Sequence, residues 1–112
     1  MKKINNNLYV GPQIFPNDVK DLFENGIKSI ICNRPDNEAE GQPDFNEIIG
    51  EASNFNIMTS YIPYSSRQMT DENVQEFAKA LNELPKPIFA FCLGGVRSEQ
   101  IAKAAYKFLE EY

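Results

Sequence analysis

The run Pro87–Phe91, PIFAF, is apolar at every position and gives way at once to Cys92, two glycines and an arginine. A strand with one wet face alternates apolar and polar residues, so a short run without alternation marks a strand covered on both sides, as in the middle of a parallel sheet. Parallel neighbours require helical crossovers, and the rest of the chain supplies the pattern for them. The segment 15–26, FPNDVKDLFENG, has Pro16 in a first turn, Val19, Leu22 and Phe23 on one face, and Asn25-Gly26 as a stop, which predicts a helix of about two turns. Strands are predicted at LYV (8–10), IKSIICN (27–33) and IMTSYIP (57–63). Further helices are predicted at 43–55 through Phe45, Ile48, Ile49 and Ala52, and at 70–85 behind a Thr70 cap through Val74, Phe77, Ala78 and Leu81. The last, 98–112, uses Ile101, Ala104, Ala105, Phe108 and Leu109. The order β-α-β-α-β-α-β-α predicts an α/β fold with a mostly parallel sheet of four to five strands between helices, and ligands at the carboxyl ends of the strands.

A chain of 112 residues with 42% hydrophobic content is expected to be a single domain, 1–112. Its net charge of -5 argues against nucleic acid and anionic membrane as partners and leaves small molecules and proteins. No apolar stretch follows the N-terminal lysines and none approaches a membrane span, so the expectation is a cytoplasmic protein. The absence of histidine removes Ser-His-Asp triads, Cys-His dyads and most transition-metal sites, and no cofactor or metal is expected. Cys32 and Cys92, sixty residues apart, form neither a disulfide framework nor a CxxC pair.

Cys92 stands where the predicted central strand ends and a glycine turn feeds the last helix. In that geometry the amides of Leu93, Gly94, Gly95, Val96, Arg97 and Ser98 can converge as an anion nest beside the positive end of the helix dipole. The same field would lower the thiol pKa from about 8.5 toward the range of about 3.5 to 7.5 found at helix N-termini beside a cation. Gly94 and Gly95 would supply the positive φ and the room that such a loop needs. Arg97 would offer a planar fork to an oxyanion, and the Ser98 hydroxyl a proton to the thiolate. A buried structural cysteine is the alternative.

The loop CLGGVRS, with LYVGPQ, IKSIICNRPDNEAEGQPDF, YIPYSS and MTDENVQEFAKAL in the same order, resembles the phosphatase-like domain of beta-lactamase-hydrolase-like proteins, relatives of the dual-specificity tyrosine phosphatases. The resemblance covers nearly the whole chain and implies a tyrosine-phosphatase-like fold, with Cys92 as nucleophile and Arg97 as anion clamp. Working tyrosine phosphatases carry five residues between cysteine and arginine; Leu93–Val96 are four, the spacing of many single-domain rhodanese sulfurtransferases. Dual-specificity phosphatases also place an aspartate acid just after an IP strand end, where this chain has Tyr64, Ser65 and Ser66. Asp36, in the loop after the second strand, is a candidate substitute acid or a plain turn residue. Arg34 and Arg67 follow strand ends and could add positive potential around an anion, or be exposed loop arginines. Cys32, where the family more often has asparagine, could resolve an oxidised or persulfidated Cys92, or be a buried strand cysteine.

The first expectation is therefore thiol-covalent sulfur transfer through a Cys92 persulfide, with a sulfane-sulfur donor as the small anionic substrate and a protein thiol as a possible acceptor. The second is phosphomonoester hydrolysis through a cysteinyl phosphate, and the third a catalytically dead anion-binding or docking module.

Overall fold

The computed structural model describes residues 1–111; Tyr112, the end of the expected last helix, lies outside them. In chain order the elements are β1 (Lys2–Asn5), β2 (Leu8–Gly11), a 3-10 turn (Pro16–Asp18) running into α1 (Val19–Glu24), β3 (Ser29–Cys32), α2 (Phe45–Ser53), β4 (Met58–Tyr61), α3 (Asp71–Glu83), β5 (Ile88–Phe91) and α4 (Val96–Glu111). The strands form one sheet in the order β1-β2-β5-β3-β4, parallel except for β1. The α/β expectation holds, and PIFAF is the middle strand.

The parity of β5 explains its lack of alternation. Ile88 and Ala90 face a cluster with Leu8, Val10, Ile31, Phe77, Leu81, Ile101 and Ala105, beneath α3 and α4. Phe89 and Phe91 face Val19, Leu22, Ile30, Cys32, Phe45, Ile48 and Ala52, beneath α1 and α2. All four β5 residues are buried, so each contributes transfer free energy on one side of the sheet or the other, about 1.5–3 kcal/mol for a large side chain.

Two expectations change. Lys2–Asn5 was not expected to be a strand: it is polar, mostly exposed, and held to β2 by backbone pairing, which leaves no apolar period to detect. Phe23 was expected on the buried face of α1 but is 46% exposed and tilts against Phe55, because Val19 and Leu22 take the sheet-facing side of so short a helix. The consequence for function lies in the register. Gly11 pairs with Phe91, Phe91 with Cys32, and Cys32 with Tyr61, so four parallel strands end at one level and their loops open together.

Candidate active site

The loop after β5 is shorter than expected, because α4 starts at Val96 and takes Arg97 and Ser98 into its first turn, where amides lack intrahelical acceptors. The Gly95 carbonyl accepts the first bond of the helix from Glu99 N–H at 3.0 Å. Cys92 N–H donates to Gly11 O at 3.4 Å, Gln13 N–H to Leu93 O at 3.1 Å, and Gly95 N–H to Cys92 Sγ at 3.1 Å. Gly95 turns the chain with φ +102°, and a Cβ on it would meet the Gly11 carbonyl carbon at 3.3 Å. Gly94 has no such need, since its φ is not positive and a Cβ there would meet nothing within 4 Å. Gly95→Ala is therefore expected to cost about 1–3 kcal/mol of stability and Gly94→Ala little, a contrast that urea midpoints would read.

Burial of the Cys92 sulfur opposes ionisation and is the largest single influence on it. The N–H groups of Ser98, Gly95 and Arg97 lead the influences that outweigh it, and the thiol titrates below its ordinary value. Cys32 shows what burial does without that nest: its pKa is pushed up to about 12, and its thiol donates to Arg34 O at 3.2 Å, a bond that keeps the proton on sulfur. Cys32 packs with Phe45 and Phe91 under α2, whereas Cys92 Sγ receives an amide at the start of α4, and the charge of Cys92 is among the influences that raise the Cys32 thiol. Alkylation by iodoacetamide follows the thiolate fraction. Cys92 should label at neutral pH, with a midpoint below that of a free thiol, while Cys32 stays unlabelled up to pH 9; equal slow labelling of both would contradict this.

Arg97 is held by a residue that sequence reasoning missed. Its Nη1 donates to Glu38 Oε2 at 2.7 Å and to Tyr64 O at 3.1 Å, and its Nη2 donates to Glu38 Oε1 at 2.9 Å. Glu38 thus takes the end of the guanidinium and leaves the edge formed by Nε and Nη2 for an anion. Arg34 braces Glu38 from the other side, with Nε donating to Oε1 at 3.0 Å and Nη1 to Gln13 Oε1 at 3.0 Å. Arg34 is therefore neither an exposed loop arginine nor an anion ligand; it is buried, and its charge is directed to Glu38. The hydrogen bond from Arg97, opposed by burial and aided by Arg34, holds the Glu38 carboxyl below its usual range. One clue was present in the sequence, the four-residue step from Arg34 to Glu38, but the pairing with Arg97 joins residues 59 positions apart.

Ser98 differs from expectation. Its Oγ donates to Asn33 Oδ1 at 2.8 Å, and the Asn33 amide is oriented by its own donation to Ile62 O at 2.9 Å. A hydroxyl carries one proton, so backbone amides hold the thiolate in this arrangement, and the hydroxyl reaches sulfur only by leaving Asn33. Asp36 is likewise engaged: its Oδ1 accepts from Phe45 N–H at 2.9 Å, at the start of α2, as a turn and cap residue does. Tyr64 closes the floor by donating its hydroxyl to Arg97 O. Arg67 stands with Cys92, Leu93, Gly94, Val96, Arg97, Ser66 and Gln100 around a cavity of about 400 Å3. Leu93 and Val96 are exposed on its rim, so they offer backbone toward the nest and apolar surface toward solvent. Among the described residues no three metal-ligating side chains gather, and no helix is long and apolar enough to cross a membrane.

Residues 1–106 match the family described as the phosphatase-like domain of beta-lactamase hydrolase-like protein. A beta-lactamase hydrolase-like protein of Agrobacterium fabrum is 33% identical over 96 residues, which is 86% of this chain but 22% of that protein, so the chain spans about a fifth of the curated relative it matches. Among solved structures, a candidate phosphatase of Neisseria meningitidis Z2491 superposes with a TM-score of 0.83 at 32% identity, over 89% of this chain and 71% of that one. The core catalytic domain of the PP-IP phosphatase SIW14 of S. cerevisiae, crystallised with citrate, shares the fold at a TM-score of 0.65 and 15% identity, over 84% of this chain and 56% of that one. Sulfur transfer, the first expectation from the loop spacing, finds no support in these likenesses, which favour the phosphatase alternative.

Proposed function

This chain belongs to the phosphatase-like domain family of beta-lactamase hydrolase-like proteins, and on that premise we propose that it hydrolyses small anionic phosphomonoesters through a cysteinyl phosphate on Cys92. The observation that carries this reading is the Gly95 N–H donated to Sγ at 3.1 Å, where the Ser98 and Arg97 amides of the first turn of α4 also favour the thiolate, beside an arginine whose Nε–Nη2 edge is left open by Glu38. The thiolate attacks phosphorus, an S–P bond forms, and the ester P–O bond breaks with its electron pair going to the leaving oxygen. Arg97 and the loop amides bear the charge of the phosphoryl oxygens as it develops. Water then attacks phosphorus, the S–P pair returns to sulfur, and inorganic phosphate leaves. Among the described residues no protonated acid faces the cavity, since Glu38 is held ionised and Asp36 is bound to α2, so leaving groups that depart as stable anions are favoured.

The reading is tested by rapid quenching with an aryl phosphate, such as p-nitrophenyl phosphate. A burst of phenol, with one phosphoryl group on the Cys92 peptide by mass, is the expected result. A second reading rests on the four residues between Cys92 and Arg97: a nest centred on Sγ suits a persulfide, which presents one sulfur where a phosphoryl group presents three oxygens. Thiosulfate that left one sulfur on Cys92, with no burst from aryl phosphate, would overturn phosphoryl transfer in favour of that reading.

A further inference from the structure

The Cys92 cavity carries a cation that no group among the described residues neutralises. Of the three arginines, Arg34 and Arg97 are ion-paired to Glu38, while Arg67 makes no ion pair or hydrogen bond there. It occupies a tight turn closed by Gln68 N–H on Ser65 O at 3.0 Å, and its φ of +66° is one that glycine or asparagine takes more readily. That turn sets Ser66 and Arg67 in the lining with Cys92.

The second observation concerns the leaving group. Among the described residues the lining contains no carboxylate, and the nearby acids are committed: Glu38 to Arg97 and Arg34, Asp36 to Phe45 N–H, Glu99 to Lys2 and Lys103. The Tyr64 hydroxyl is donated to Arg97 O. A site whose described residues offer no acid to the leaving group, yet whose lining holds a guanidinium without an ion pair and a hydroxyl together with Cys92, fits a leaving group that is itself an oxyanion.

Resting on the phosphoryl-transfer reading above, we propose that this site, beyond the phosphomonoesters of that reading, prefers a phosphoanhydride, in which the transferred phosphoryl group is bonded to a second phosphate, and that Arg67 with Ser66 binds that second phosphate. Cys92 Sγ bonds to the terminal phosphorus as the P–O–P bridge breaks on that side. The bridging oxygen leaves with the electron pair on the second phosphate: where that phosphate is esterified its last proton has a pKa of about 6, and from inorganic pyrophosphate it leaves as hydrogen phosphate, keeping a proton the substrate already carries, so departure needs no acid from the protein. Water then cleaves the S–P bond, and its proton passes to the released phosphate or to solvent. An alkyl ester would instead release an alkoxide, for which the missing acid costs about 100- to 10,000-fold. Leu93 and Val96 on the rim add no charge that would repel the polyanion.

The test compares inorganic pyrophosphate, p-nitrophenyl phosphate and glycerol phosphate as substrates of the intact chain. Pyrophosphate should exceed glycerol phosphate in kcat/KM by at least about 100-fold. Arg67→Asn, which tolerates the left-handed backbone, should lower the ratio of pyrophosphate to p-nitrophenyl phosphate turnover by about 10- to 100-fold, with partial recovery in Arg67→Lys. Arg67→Gly repeats the test without backbone strain, and matched thermal midpoints exclude misfolding. Aryl phosphate turnover without pyrophosphate turnover, or a ratio unmoved by both variants, overturns this inference and leaves the phosphatase reading standing. Failure of all three compounds to phosphorylate Cys92 overturns both.

Discussion

Cys92→Ser should reduce aryl phosphate turnover by about 10,000-fold or more while leaving inorganic phosphate binding largely intact. The amides of Gly95, Arg97 and Ser98 bring the thiol below its ordinary value against the burial that would raise it. An alcohol starts far higher on the pKa scale, and the same hydrogen bonds cannot ionise it near neutral pH. Serine fits the volume, so the loop that binds phosphate survives, with Gln13 N–H still on Leu93 O and Gly95 still turned against Gly11. Steady-state kinetics and calorimetric phosphate titration separate the two effects. Retention of activity in Cys92→Ser would remove covalent catalysis from this site.

Arg97→Lys should lower kcat/KM by about 100- to 1,000-fold, more than loss of charge would account for, since the charge is kept. Lysine cannot engage both Glu38 oxygens and Tyr64 O while also presenting two parallel donors to a phosphoryl group. Glu38→Gln should cost less, about 10-fold, by releasing the guanidinium from one orientation, and the double variant should fall short of the sum because one residue acts through the other. The pH dependence has a definite sign. Glu38 titrates below the usual carboxylate range because Arg97, and then Arg34, hold its ionised form against burial, so this ion pair contributes fully above the unfolded-state value of about 4.3 and is lost as pH falls through the depressed one. Activity that fell between pH 7 and 5 identically in wild type and Glu38→Gln would assign that limb to another group, Cys92 first.

Much of the fold was legible because its signals are local. A run without alternation, helical spacing through Ile48 and Ala52 or Phe77 and Leu81, and a Thr70 cap all lie within a turn or two of chain. Strand β1 was not legible, because backbone pairing to β2 leaves no mark on KKIN. The family resemblance added the identity of the loop, while their positions after a strand end made Arg34 and Asp36 candidates around the anion. Their true partners, Glu38 and Phe45 N–H, depend on how the loop after β3 closes.

From the sequence alone came the α/β order, the strand that ends at Cys92, and the glycine turn leading into a helix with Arg97 near its start, all consequences of hydrophobic periodicity and of the conformational freedom of glycine at Gly95. Only the tertiary structure decided which charges face the anion. Glu38 and Arg97 are 59 positions apart, and their pairing at 2.7 Å follows from β3 and β5 ending side by side, Cys32 against Phe91, in the sheet. It likewise assigned the Ser98 proton to Asn33 and, among the described residues, left Arg67 without an ion pair in the cavity that Cys92 lines, because side-chain donors are shared out by proximity in space, a quantity that no local pattern of residues carries.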